Sequence, residues 1–128
     1  MATELNEVLE SFHSSFMDKT EIPVSLELMW LKKAIAEFGT EISPLPYDEE
    51  TGSFAETLDQ YVIDTLATSM KVMYLERYYS KVNKIASVVG KDLSINGQGN
   101  LSKYAEDELS KTKDDLVIRY YNLKTPAY

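Results

Sequence analysis

The chain has 128 residues, 44% of them hydrophobic, with one histidine, no cysteine and a net charge of −8. That length supports one modest core and is too short for two ordinary domains. Without cysteine, disulfides and cysteine-ligated metals are excluded, which fits a reducing compartment. No basic n-region followed by an apolar stretch opens the chain, and no apolar run approaches the roughly 18 residues of a membrane-spanning helix. The expectation is a soluble, intracellular, single-domain protein. Charge is divided unevenly: residues 1–60 hold 13 acids and 3 lysines, net −10, and residues 61–128 hold 8 acids and 10 bases, net +2. A bipolar chain suits head-to-tail contact between copies, and equally suits two differently solvated faces. Overall acidity disfavours a nonspecific DNA binder, whose affinity rests on neutralising phosphates, although Lys71, Arg77, Lys81, Lys84 and Lys91 form a basic stretch.

Four helical segments follow in chain order. Leu5, Val8, Leu9, Phe12 and Phe16 recur at helical spacing within residues 1–19, with Thr3 as the expected N-cap. Residues 22–39 form the second helix, opened by Pro23 and stopped by Gly39. Its stripe is Val24, Leu28, Leu31, Ile35 and Phe38, and Trp30 reads as a core or interface anchor. Two prolines, a glycine and clustered acids make residues 40–53 a loop. Asp48, Glu49 and Glu50 lack the alternating oxygen ligands of a calcium site, so a solvated or interface loop is the better reading.

Ser53-Phe54-Ala55-Glu56 has the form of a capping box opening a long helix over 54–89. Such a helix would be roughly 50 Å long, longer than a globule of this size is wide, so it must project or find partners. Apolar surface around Leu66, Met70, Met73 and Tyr74 widens its stripe beyond the single seam of a two-stranded coiled coil. Val72, Met73 and Tyr79 are the candidate contacts between subunits. Tyrosines mixed with Arg77, Lys81 and Lys84 suit a protein interface better than nucleic acid in so acidic a chain. Residues 90–100 are glycine-rich, and Leu93 and Ile95 alternate ahead of Asn96-Gly97 as a short strand entering a tight turn would. A lone strand needs a partner, which makes Leu93 and Ile95 further inter-subunit candidates. No Gly-Lys-Ser/Thr is present to make the glycines a phosphate cradle.

The last segment, 101–128, is a helix to about Asn122, with apolar positions Leu101, Ala105, Leu109, Thr112, Leu116, Tyr120 and Leu123 on one face, and its end, residues 117–128, crowds aromatic and aliphatic residues into a tail. Pro126 ends any helix there, and the crowding suits docking. The expected fold is therefore all-α: a small helical bundle with one long central helix and a short glycine-rich strand or hairpin before the C-terminal helix. No cofactor and no metal are expected.

Pro44-Leu45-Pro46-Tyr47-Asp48-Glu49-Glu50-Thr51-Gly52 before a long helix, then Tyr74-Leu75-Glu76-Arg77 and Ser80-Lys81-Val82-Asn83-Lys84, then the glycine-rich run, resemble small proteins encoded among the head and neck genes of tailed bacteriophages. The closest class is the α-helical head–tail connector, or adaptor. The resemblance covers roughly residues 22–128 and leaves the acidic first helix outside it. It implies a homo-oligomeric ring, commonly of about twelve copies, beneath the portal protein. Another neck or tail-completion protein would be a further partner, and DNA would pass through without sequence-specific binding. The location implied is the virion, after synthesis in the bacterial cytoplasm, with no membrane involved. The resemblance assigns the C-terminal segment to the portal, and its candidate anchors are Leu116, Tyr120, Tyr121, Leu123 and Tyr128. The acidic loop residues Asp48, Glu49 and Glu50 are candidates to line the DNA channel, where negative walls suppress phosphate trapping.

Two other classes compete. A small nucleic-acid-binding or regulatory helical protein would use the basic end of the long helix, but no helix-turn-helix spacing surrounds it. A hydrolytic enzyme is least favoured, since His13 is the lone histidine and Ser14 and Ser15, adjacent on a helix, do not face it. His13 reads as a surface residue beside Phe12.

Overall fold

A computed structural model describes residues 3–14, 22–89 and 96–124, giving the backbone alone over 81–89 and 96–102. Helices α1 (Leu5–Ser14) and α2 (Val24–Glu41) precede a hairpin of β1 (Tyr47–Asp48) and β2 (Ser53–Phe54), and α3 (Gln60–Val89) and α4 (Asn96–Lys124) follow. The fold is a small all-α bundle, as the periodicity predicts.

Helix α1 buries Val8, Leu9 and Phe12, the i, i+1 and i+4 positions of its inner side. At its start the Glu7 carboxylate accepts the Glu4 N–H at 2.7 Å, the reach-back half of a capping box on a helix end that favours negative charge. Thr3 does not cap the helix. Its hydroxyl instead accepts the Leu58 N–H at 2.7 Å, and its carbonyl accepts the Phe54 N–H at 2.7 Å. Leu5 N–H donates to the Gly52 carbonyl, and Glu4 bridges Ser53 in antiparallel fashion.

That N-terminal capture explains why the long helix opens later than predicted. Ser53 and Phe54 are held between residues 3–5 on one side and β1 on the other, with Tyr47 opposite Phe54 and Asp48 opposite Ser53. The Ser53–Glu56 capping box therefore does not form, and Phe54 turns into the core instead of starting a helix. Helix α3 begins at Gln60, and Ile63 N–H donates to the Asp59 carbonyl. The predicted loop over 40–53 is thus partly a hairpin. Its turn is fixed by Asp48, whose carboxylate accepts the Glu50 N–H and whose carbonyl accepts the Gly52 N–H. Gly52 sits at φ +67°, the left-handed region that glycine enters without steric cost.

Gly39 does not stop α2. The helix runs on to Glu41, and Ile42 and Ser43 N–H both close on the Phe38 carbonyl. Pro44, which pushes its predecessor out of the helical region, is the more effective stop. The glycine-rich run also departs from expectation. Residues 96–100 form the first turn of α4, so no Asn96-Gly97 hairpin turn exists there. A glycine costs a helix only about 1 kcal/mol relative to alanine, too little to keep residues 96–100 out of a helix of 29 residues. Leu93 and Ile95 lie outside the described residues, as does Tyr128.

The core joins one face of every helix. Phe12, Trp30 and Tyr74 meet edge to face with ring centroids 6.2–6.4 Å apart, which places Trp30 in the interior. Leu31, Ala34, Phe38, Phe54, Leu66 and Met70 pack with them, and Leu116 and Tyr120 close the core from α4. Asn122 donates to the Tyr61 hydroxyl at 3.0 Å, and the Arg119 guanidinium lies 5.2 Å from the Tyr61 ring centre, so α4 returns antiparallel along α3. With 30 residues α3 is about 45 Å long, and α2 with 18 is about 27 Å. The α3–α4 hairpin therefore outreaches the elements packed on it.

Candidate docking groove

Helices α2 and α4 splay apart over the middle of α3 and leave a groove of about 590 Å³. Val72 and Met73 from α3 and Leu116, Val117, Tyr120 and Tyr121 from α4 give it an apolar lining, and Glu37, Glu41, Glu76, Lys113 and Lys124 stand around it. The spacing explains the lining: 72 and 73 on α3, and 116, 117, 120 and 121 on α4, are the i, i+1, i+4, i+5 positions that share a helix face.

Two groups of residues that the sequence treats separately meet here. Val72 and Met73 are inter-subunit candidates, while Leu116, Tyr120 and Tyr121 are portal-binding candidates. Their degrees of burial differ. Val72, Leu116 and Tyr120 belong to this chain's own core, and Met73 and Leu123 pack against it. Val72, Met73, Leu116 and Tyr120 form the floor of the groove and do not project as anchors, and Leu123 lies outside its lining. Tyr121, by contrast, is 66% exposed, and Val117 and Ile118, not singled out beforehand, are exposed beside it at 65% and 57%. The sequence places Val117 and Ile118 in the C-terminal stretch whose apolar crowding suits docking, without picking them out as anchors. Tyr79 is half-buried on α3, outside the residues lining the groove.

Polar groups at the α2 side are tied to the apolar floor. The Tyr120 hydroxyl donates to Glu37 Oε1 at 3.3 Å, and Lys124 pairs with Glu41 at 2.8 Å. Burial pushes the Tyr120 phenol well above its ordinary range, and the Glu37 carboxylate adds to the shift by disfavouring a second negative charge. Ser69, buried beside Tyr120, has no hydrogen bond of good geometry among the described residues.

A second depression, about 460 Å³, lies between α1, α3 and α4. Lys71, Lys111 and Arg119 line it with Asp64, Glu108 and Asp115, three cations against three carboxylates, and Arg119 already pairs with Asp115. Local charge is balanced there, so it offers no cationic track for a phosphate backbone.

The acidic candidates Asp48, Glu49 and Glu50 are all exposed at the hairpin turn. Asp48 is engaged by the turn itself, and Glu49 pairs with Lys32 at 2.9 Å, which holds the Lys32 ammonium above its ordinary pKa. His13, read from sequence as a plain surface residue, lies 5.7 Å from the Phe12 ring and hydrogen-bonds through Nε2 to Glu27 Oε1 at 2.7 Å. Glu27 is a buried carboxylate on α2, and nothing local in the sequence signals its partner 14 residues earlier.

The described residues define a small helical bundle that carries an apolar, partly acid-rimmed groove. No protein-family model, curated protein or solved structure matches the chain. Among the described residues no helix is long and apolar enough to cross a membrane.

Proposed function

We propose that the protein is a structural component of a tailed-bacteriophage neck: an α-helical head–tail connector that forms a ring beneath the portal and leaves a channel for DNA. The observation that carries this reading is the groove, an apolar surface built from the two long helices and continued by exposed Val117, Ile118 and Tyr121. A surface of this kind on a small protein marks a protein contact. In this reading the exposed end of α4 engages the portal, the groove and α3 make contacts around the ring, and the acidic hairpin turn faces the DNA path. The virion is then the protein's site of action.

The alternative of a small nucleic-acid-binding regulator draws no support from the polar depression, whose cations are matched by carboxylates. Mass measurement of purified protein alone and mixed with the phage's portal protein tests the proposal. A ring-sized complex with several copies per portal is expected. Absence of the protein from purified virions, together with a monomer that ignores portal, overturns it. Val72→Asp is the wrong probe because Val72 is core, whereas Val117→Asp and Tyr121→Asp alter exposed groups and report on docking.

A further inference from the structure

We infer that the groove receives the exposed face of α2 from a second copy of this chain, in a head-to-tail contact; the inference rests on the ring reading above and names the surfaces that would build it. Its starting point is the geometry of α2. Leu31, Ala34 and Phe38 face the core. At 100° per residue, Glu37 and Glu41 fall on one side of that buried stripe and Val24, Leu28 and Lys32 on the other. The groove borders the first flank. The groove and the outward face of α2 are different surfaces, so a contact that seats one in the other repeats from copy to copy and closes into a ring when the rotation allows, whereas an isologous pair would need both contacts at once about a two-fold axis.

The two surfaces are complementary in chemistry. On α2, Val24, Leu28 and Met29 are large apolar side chains left exposed, at 63%, 36% and 46%. One turn after Leu28 comes Lys32, and one turn after Met29 comes Lys33. Leu28 and Met29 point about 100° apart, so Val24 and Leu28 lead to Lys32, which is already paired with Glu49 at 2.9 Å, while Met29 leads to Lys33 on the outward face of the helix. The groove presents an apolar floor with charges of both signs at its margin: Lys124 pairs with Glu41 and the Tyr120 hydroxyl donates to Glu37, while Glu76 and Lys113 make no ion pair among the described residues. Glu76 and Lys33 are both exposed and make no ion pair among the described residues, so each is available to the other across a contact.

Area sets the strength. A stable pairwise interface covers about 800 Å² per partner, more than one ridge of three apolar side chains supplies. A single contact is then weak, and copies are held when each makes two such contacts in a closed ring or on a template.

A chain free of cysteine permits a direct test. Leu28→Cys and Val117→Cys are prepared separately and together, all at exposed positions, with circular dichroism as the check that the helices persist. Under oxidation or with a short bismaleimide, a concentrated mixture of the two single variants should give a covalent dimer. The double variant should give a ladder beyond the dimer. A control mixture of Leu28→Cys with Lys103→Cys should give neither. The inference falls if the mixture cross-links no more than this control. It also falls if Val117→Cys alone dimerises while the mixture adds nothing, which would assign the groove to an isologous pair. The same double variant in particles separates this inference from the connector reading. A ladder in free protein that is absent from virions leaves the docking intact and removes the connector. Protein incorporated at normal copy number without any ladder does the reverse.

Discussion

A histidine with a buried partner stands among the residues whose chemistry the fold decides. Glu27 is enclosed on α2, and its carboxylate is engaged by a 2.7 Å hydrogen bond with His13 Nε2. Removing that partner leaves a carboxylate away from water with a lost contact, which costs more than an ordinary surface change of about 0.5 kcal/mol. His13→Ala should therefore lower unfolding free energy in urea by about 1–3 kcal/mol, and a loss under 0.5 kcal/mol would show that Glu27 finds another partner. Tyr120 gives a pH signature. Its phenol pKa is raised by burial, so the stability it contributes is fully present below the unfolded value near pH 10 and is lost as pH climbs above it. Tyr120→Phe should flatten the alkaline end of the stability curve relative to the parent chain. Equal alkaline slopes for both proteins would mean that other tyrosines govern that limb. Neither feature was legible in sequence, because each depends on a partner in another helix, Glu27 for His13 and Glu37 for Tyr120.

Helix α3 shows how a local signal loses to a distant one. Ser53 through Glu56 has the side chains of a capping box, worth about 1 kcal/mol where it forms. Against it stand the pairing of residues 3–5 with 52–56, the β1–β2 ladder and burial of Phe54, which together exceed one cap. Thr3 is the hinge of that competition: its hydroxyl accepts the Leu58 N–H and its side chain is buried. Thr3→Val keeps the shape and orphans the Leu58 amide. It should cost about 1–3 kcal/mol in thermal or urea unfolding, and fast hydrogen exchange at Leu58 should accompany the loss. If exchange there is unchanged, the hydroxyl is not what holds the α3 entry. Helices α1, α2 and most of α4 were legible because their apolar stripes span several turns. The hairpin was not, since each strand is two residues long and too short to show alternation. The groove was half legible: its residues stood out singly, but only the antiparallel return of α4 along α3 brings Val72 and Met73 beside Leu116 and Tyr121.

At the scale of the whole molecule, the division of charge acquires a local form. The −10 of the first 60 residues is spread through α1, α2, the hairpin turn and the entry to α3, yet the cations Lys32 and Lys33 interrupt it on the exposed face of α2. Glu76 interrupts the more basic second half at the groove margin. Net charge per half is thus a poor guide to which surfaces attract, and the placement of single residues decides. If Lys33 of one copy meets Glu76 of the next, Lys33→Glu should weaken association, and so should Glu76→Lys. Exposed ion pairs are worth about 0.2–1 kcal/mol, so each change should lower cross-linking yield up to about fivefold at limiting concentration. The exchange of both charges should restore the yield, because the attraction is re-formed with its sign reversed. Raising salt to about 1 M should shrink all these differences, since screening then acts within about 3 Å. Loss in both single variants without recovery in the double would place Lys33 and Glu76 in separate contacts, and full yield in every variant would leave the apolar ridge alone to hold the copies together.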